Sequence, residues 1–261
     1  MNPPAPNAAA PPLIELVEAD IASAQEPEAA LVERVNWRLR PGEYWAVGGW
    51  HWAGKSDWLT TVAGLQHPSA GRHLLFGEDI TGLRQEELVA ARLRIGMVFE
   101  HGGRLFTQMT VQENLALPLQ YHRNCPAEET AEAVEAAMRL AGVTEVARQA
   151  AGQLNRGWRQ RVALARALVL RPEALLVDNP LAGLDPRQAR WWFETLAALN
   201  AGHALLGGRP LAVVVTTDDL RPWRDQARQF ALLQGRRWLP LGGRTELAAC
   251  KESAVREFLA S

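Results

Sequence analysis

Gly48-Gly49-Trp50-His51-Trp52-Ala53-Gly54-Lys55-Ser56 decides the reading of this chain. From Gly49 onward it follows G-x-x-x-x-G-K-[ST], a pattern with a mechanical reason. A tight turn wraps phosphate oxygens with backbone N–H groups, a lysine reaches the outer phosphates, and a hydroxyl meets Mg²⁺. A glycine-rich turn is common by itself, so the weight lies on its flanks. Tyr44-Trp45-Ala46-Val47 reads as a short buried strand, and Ser56 to Leu65 as a helix whose N-terminus points at the anion.

The composition limits what surrounds this loop. At 261 residues and 48% hydrophobic content, the chain can bury one large domain, or a core with a lobe. Twenty-eight basic residues against 29 acidic ones leave no broad positive footprint, so no nucleic-acid partner is expected. Cys125 and Cys250 fit no metal or redox spacing and read as unpaired thiols in a reducing compartment. The six histidines are scattered and suggest no metal cluster. No apolar run reaches membrane-spanning length, and the start of the chain lacks a basic region followed by an apolar core, which makes a cytoplasmic protein the expectation. The ten tryptophans are expected as core or interface anchors.

Working outward, residues 1–12 are rich in Pro, Ala and Asn and read as a disordered leader, with one domain over 13–261. Leu13 to Leu16 begins a first strand, and Ala30 to Leu39 leads through the turn at Pro41-Gly42-Glu43 into the loop strand. These are expected as an antiparallel pair flanking the nucleotide edge. Arg72 to Phe76 and Arg94 to Phe99 read as strands, Glu128 to Leu140 and Arg159 to Leu170 as helices. Ala174 to Val177, Leu211 to Val215 and Gln229 to Leu233 are apolar strands, with a helix from Arg187 to Leu199 among them. Gly207-Gly208 and Gly242-Gly243 read as turns, and Glu252 to Leu259 as a last helix. Short apolar strands alternating with helices indicate an α/β fold, a parallel sheet covered on both sides.

In such a sheet ligands gather at the carboxyl ends of the strands. Asp178 stands at one of those ends and the phosphate loop at another. A loop hydroxyl and a strand-end aspartate holding one Mg²⁺ is the arrangement of P-loop nucleotidases. Ser56 and Asp178 are therefore the metal candidates, reached through a bound nucleotide, with Glu100 beside them. Trp191-Trp192-Phe193 reads as core and partner surface, and Glu113 and Asp219 as ordinary surface carboxylates.

From Leu13 to its end the chain resembles the ATP-binding subunit of an ABC transporter. The likeness is carried by the phosphate loop Gly49 to Ser56, the strand ending Val98-Phe99-Glu100, and the signature region Leu154-Asn155-Arg156-Gly157-Trp158-Arg159-Gln160-Arg161. It continues through the acidic strand end Leu176-Val177-Asp178-Asn179-Pro180 to the D-loop Gly183-Leu184-Asp185-Pro186. Within that family, Leu105 to Leu119 looks like the importer branch and is closest to the Mla or MCE lipid-trafficking ATPases. The resemblance implies a P-loop core, an antiparallel β-subdomain and a helical lobe over about 84–157. It implies ATP and Mg²⁺ as ligands, with Gly49, Trp50, His51, Trp52, Ala53, Gly54, Lys55, Ser56 and Asp57 around the phosphates. It also implies a second ATP-binding subunit paired head to tail, each nucleotide facing the other chain's Asn155, Arg156, Gly157 and Trp158. A transmembrane permease would dock on the helical lobe, which places the chain on the cytoplasmic side of the plasma (inner) membrane.

The departures from the family pattern bear on the chemistry. Where the family has the glutamate that polarises the attacking water, this chain has Asn179, an amide that accepts no proton at neutral pH. Loss of a positioned general base costs on the order of 10²–10⁴ in rate. Thr217 replaces the switch histidine and Glu100 replaces a glutamine. Asn155 and Arg156 replace the signature serine and first glycine. Asp57 stands where a second hydroxyl usually follows, and Trp52 where the loop has glycine, a poor fit if that backbone needs positive φ. The aromatic that stacks on adenine is expected near Ile21 to Gln25, and none is there.

Three readings follow. The first is an ATP-binding transport subunit, lipid- or MCE-type, that holds MgATP through Lys55, Ser56 and Asp178 with impaired hydrolysis. The second is a non-enzymatic scaffold that docks a membrane subunit without nucleotide. The third is a fully active transport ATPase with an unusual catalytic set.

Overall fold

Ala174 to Val177 and Ala212 to Thr217 are buried along their whole length, as strands with a core on each face must be. Their side chains alternate between two clusters. Leu175, Val177, Val213 and Val215 pack with Trp192, Leu196 and Trp223, whereas Ala174, Leu176, Ala212 and Val214 pack with Trp58 and Val62. The sheet is thus a middle layer. This is a computed structural model that describes residues 10–23, 26, 29–102 and 104–260.

In chain order the strands are β1 (Ile14–Ala22), β2 (Ala30–Leu39), β3 (Tyr44–Gly49), β4 (Ala70–Leu75), β5 (Glu78–Asp79), β6 (Ile95–Val98), β7 (Ala174–Val177), β8 (Ala212–Thr217), β9 (Gln229–Gln234) and β10 (Arg237–Gly242). The helices are α1 (Lys55–Val62), α2 (Gln85–Arg92), α3 (Val111–Arg123), α4 (Ala127–Ala141), α5 (Arg156–Leu168), α6 (Pro186–Gly202), α7 (Arg244–Ala249) and α8 (Ser253–Ala260). The ten strands form one sheet in the order β5-β4-β1-β2-β10-β9-β3-β8-β7-β6. From β9 through β3, β8 and β7 to β6 the neighbours are parallel, while β1, β2, β4 and β5 pair antiparallel. This is the P-loop core with an antiparallel β-subdomain that the sequence implies.

The joint between the two halves was not legible. β10 runs antiparallel to β9 and meets β2 at a single pair, Arg237 with Glu33. Pro240 inside it argues against a strand, which hid it. Gly242, expected in a turn, is instead the last residue of β10 at φ 72, and Gly243 caps α7. Gly207 and Gly208 do form a turn, at φ 67 and 74. Of the leader expected over 1–12, residues 1–9 lie outside the described part of the chain.

A third cluster, containing Val111, Leu115, Val134, Met138 and Val162, holds α3 and α4 against the outer face of α5. Thr110 starts α3 with a capping box: its hydroxyl accepts the Glu113 N–H at 3.2 Å, and the Glu113 carboxylate accepts the Thr110 N–H at 2.8 Å. Glu113 is therefore a cap rather than an idle surface carboxylate. Next to it, the buried Asn114 amide donates to the carbonyls of Phe106 and Thr110, each at 3.0 Å, and fixes the approach to the helix.

The tryptophans divide as composition suggests, with two exceptions at the loop. Trp58, Trp192 and Trp223 are fully buried, and Trp58 stacks on Trp238 with centroids 5.2 Å apart. Trp191 and Phe193 are partly buried against the same cluster as Trp192. Trp50 and Trp52 are exposed. The last helix turns one face inward. Val255 and Phe258 of α8 are buried in their own chain, and Phe258 meets the Trp50 ring edge-on at 5.1 Å.

Candidate functional site

Strand β3 leaves the sheet at Gly49, and the chain turns through Trp50 to Gly54 before α1 begins. The turn is too tight for side chains at its ends. A Cβ on Gly49 would lie 3.1 Å from the Leu233 carbonyl oxygen, and Gly54 adopts φ 81, which glycine does at no steric cost. Ala53 closes the turn by donating its N–H to the Trp50 carbonyl at 3.0 Å. Trp52 does take positive φ, 70°. Its indole nevertheless points away from the turn, 90% exposed, and meets the His51 ring edge-on with ring centroids 4.9 Å apart. The ring thus stays clear of the turn, and the misfit expected at this position takes the form of backbone strain. Asp57 sits in the first turn of α1, where a negative charge suits the helix dipole.

Lys55 is buried, and its three ammonium donors are all matched. Nζ donates to the carbonyls of Gly49 at 2.7 Å and Trp50 at 2.9 Å, and to the Asp218 carboxylate at 2.8 Å. Asp218 belongs to the site and the sequence reading gave it no role, although it directly follows Thr217. Burial pushes its carboxyl up, but the hydrogen bond and charge of Lys55, with the Asn179 amide and the charge of His51, outweigh that and hold it below its ordinary value.

Ser56 and Asp178 meet as expected. The Ser56 hydroxyl donates to Asp178 Oδ2 at 2.7 Å, and the Thr216 hydroxyl donates to Asp178 Oδ1 at 2.6 Å. A hydroxyl and a carboxylate at a helix N-terminus are the hard oxygen donors Mg²⁺ takes when it also holds phosphate. The cradle of N–H groups, the lysine and this pair suit a magnesium nucleotide, which would supply a divalent charge bridging its phosphates.

Asn179 is buried at φ 43, a left-handed conformation that asparagine tolerates better than most residues. Its N–H donates to Thr216 Oγ1 at 3.0 Å, and its side-chain amide to Asp218 Oδ2 at 2.8 Å and Glu100 Oε1 at 3.4 Å. Glu100 opens a short 3₁₀ turn, Glu100–Gly102, and lies 3.7 Å from the Arg156 guanidinium. The turn is seated on α5, for a Cβ on Gly102 would fall 2.4 Å from the Arg159 carbonyl carbon. Three positions that depart from the family pattern, Arg156, Glu100 and Asn179, thus continue through Asp218 to the phosphate-loop lysine.

The remaining candidates are placed as follows. Asn155 caps α5 by accepting the Trp158 N–H at 3.0 Å, so one N–H at this helix end is satisfied within the chain. Arg156 lies beside Gly183, and Gly157 faces Gln188. Thr217 does not face the loop lysine. Its hydroxyl donates to the Asp219 carbonyl at 2.8 Å and accepts the Asp219 N–H at 3.1 Å, closing a turn. Asp185 caps α6, accepting from the N–H groups of Arg187 and Gln188 at 2.8 and 2.9 Å. Of the stretch expected to hold an adenine-stacking aromatic, Ile21 and Ala22 are buried and residues 24 and 25 lie outside the described part. An open cleft of about 690 Å³ is lined by residues such as Arg123, Arg139 and His203 and contains none of these groups. The phosphate loop is a cradle of backbone rather than a deep pocket. Among the described residues no helix is long and apolar enough to cross a membrane.

A profile of the ABC transporter family matches residues 32–182, more than half of the chain. The methionine import ATP-binding protein MetN of Xanthomonas axonopodis pv. citri is 35% identical over 223 residues, covering 85% of this chain and 64% of that protein. The MetN protein of Geobacillus kaustophilus is 33% identical over 211 residues, covering 81% and 59%. The chain thus spans less than two thirds of the length of these relatives. Among solved structures, cbiO1 from Clostridium perfringens, part of the cbiONQ transporter complex, aligns with TM-score 0.77 at 23% identity, covering 94% of each chain. The dimeric cassette MJ0796 bound to ADP and Pi aligns with TM-score 0.76 at 27% identity, covering 88% of this chain and 99% of that one. Both MetN relatives are named as methionine import ATP-binding proteins, so the narrower likeness to lipid-trafficking ATPases read from Leu105 to Leu119 finds no support in them. On the family match and the retained loop, lysine and metal pair, the chain belongs to the ABC transporter family as one of its ATP-binding domains.

Proposed function

We propose that this chain is the nucleotide-binding subunit of an ABC importer, that it holds MgATP through Lys55, Ser56 and Asp178, and that it hydrolyses it slowly or not at all. The observation that carries the reading is the contrast around Asp178. The Ser56 contact is in place at 2.7 Å, while the next residue, Asn179, offers an amide already donating to two carboxylates. An amide so committed neither accepts a proton from water nor has a free donor to orient it. A head-to-tail second cassette, a permease docked on the helical lobe over about 84–157, and a place on the cytoplasmic face of the inner membrane belong to the same proposal. The separate core under α3 and α4 supports that division into lobes. Methionine importers among the relatives favour an import role over lipid traffic.

The test is steady-state phosphate release by the purified chain, with Lys55→Ala as control. Background-level release together with MgATP binding is the expected result. Robust release that depends on Lys55 establishes instead the fully active ATPase. A second reading, a scaffold without nucleotide, is favoured by one observation: Asp218 already satisfies Lys55. Absence of binding of either MgATP or MgADP at millimolar nucleotide decides for it.

A further inference from the structure

Asp218 bridges two groups that flank the outer phosphates of a bound nucleotide. One carboxylate oxygen lies 2.8 Å from Lys55 Nζ and the other 2.8 Å from Asn179 Nδ2. The lysine of such a loop serves the β- and γ-phosphates. A magnesium ion held by Ser56 and Asp178 would supply a divalent charge beside the same two. The third phosphate therefore belongs between Lys55 and the carboxyl end of β7, and the Asp218 carboxylate spans that gap. Like a phosphate edge, it presents two anionic oxygens to two donors. Glu100 approaches the same amide from another side at 3.4 Å and adds a second negative group.

We infer that Asp218 is an internal occupant of the γ-phosphate seat, so that this site takes a magnesium nucleoside diphosphate in preference to the triphosphate. The inference rests on the nucleotide-binding reading above and gives the ligand class of that same site. A diphosphate reaches Lys55 by replacing one of its loop carbonyls and leaves the Asp218 contact standing. A triphosphate must expel the carboxylate and then lie beside it. Repulsion between like charges at such range, softened by solvent at a half-exposed side chain, is enough for a clear preference.

Titration calorimetry with MgADP and with MgATP tests this on the native chain, on Asp218→Asn, which keeps size and polarity, and on Asp218→Ala. The native chain is expected to bind MgADP about tenfold more tightly than MgATP. Both substitutions are expected to raise MgATP affinity about tenfold and to move MgADP by less than about twofold. Equal affinities in the native chain, or a ratio unmoved in both variants, overturns the inference and leaves nucleotide binding intact. Binding of neither nucleotide to any of the three overturns the nucleotide-binding reading, and this inference with it.

Discussion

Two corners of one site, which meet at the adjacent residues Asp178 and Asn179, differ in what they keep. At the Ser56 corner a hydroxyl, a carboxylate and the Thr216 hydroxyl form a closed set with contacts of 2.6 and 2.7 Å. At the Asn179 corner, where the resemblance leads one to expect a glutamate and a histidine, the side chains present are engaged with one another. The Ser56 corner fixes where a metal and phosphate would lie, a ground-state task that tolerates no loss of charge. On the proposed function, the Asn179 corner would serve only the moment at which water attacks. A chain under demand for binding but not for turnover would keep the first and let the second change. The second corner has not become empty, since Arg156, Glu100, Asn179, Asp218 and Lys55 form one polar chain.

The largest expected effect breaks the contrast outright. Asn179→Glu combined with Asp218→Asn returns a carboxylate to the water-facing position and removes its nearest competitor. Phosphate release is expected to rise by on the order of 10²-fold, the low end of what a positioned base contributes. If MgATP binds this variant and the rate stays at background, the defect lies at Asn155 and Arg156, and the contrast must be redrawn around the signature.

The next effect concerns acid, where both the site and the β-subdomain respond. The Asp218 carboxyl is held below its ordinary value, so what it contributes to stability is present above that value and disappears as pH falls through the folded one. His73 on β4 overlays this. Burial, with the charge of His67, depresses its imidazole from 6.5 to about 4. An unfolded chain then binds a proton the folded one refuses, so stability is full above pH 6.5 and drains away as pH falls toward 4. The loss amounts to about 3 kcal/mol. In urea titrations His73→Leu is expected to flatten the slope of stability against pH over that window and to expose the smaller response of the site. A slope unchanged by the substitution rules out His73 as its source.

Thr216 joins the corners, because its hydroxyl donates to Asp178 and accepts from the Asn179 N–H. Thr216→Val keeps the shape and leaves two buried polar groups short of a partner, at a cost of about 2 kcal/mol. Loss of this support for a metal ligand is also expected to weaken Mg²⁺ affinity about tenfold. Chemical denaturation and Mg²⁺ titration of nucleotide binding read the two effects. A stability loss with no change in Mg²⁺ affinity separates the corners and places Thr216 with Asn179 alone.

What the sequence made legible follows from what is local. The loop pattern, the strand into it and the helix out of it are properties of a dozen consecutive residues, and so the first corner could be named in full. The buried strands were equally plain, because β7 is an unbroken apolar run and β8 opens with one over Ala212 to Val215. β10 was missed since its pairing, not its composition, makes it a strand. Asp218 was missed because its role depends on β8 lying beside β3, which brings it to Lys55 across 163 residues of chain. Thr217 and Asp218 are adjacent in sequence and point to different ends, the one closing a turn and the other reaching the lysine. Residue type alone could not say which of them inherits the site.

Trp52 gives the smallest effect and the sharpest check on the phosphate loop itself. At φ 70 a side chain crowds its own backbone, at a cost of roughly 1–2 kcal/mol. Glycine would relieve that, while its greater freedom in the unfolded chain returns about 0.5–1 kcal/mol. Since the indole is 90% exposed, its packing is too slight to tip the balance. Trp52→Gly is therefore expected to raise stability by about 0.5 kcal/mol and to leave MgADP affinity within about twofold, because the loop backbone that would touch phosphate is already in the required shape. A large gain in affinity without a gain in stability would mean that the ring enters the cradle in solution, and that the Ser56 corner is guarded by its own loop as the Asn179 corner is by Asp218.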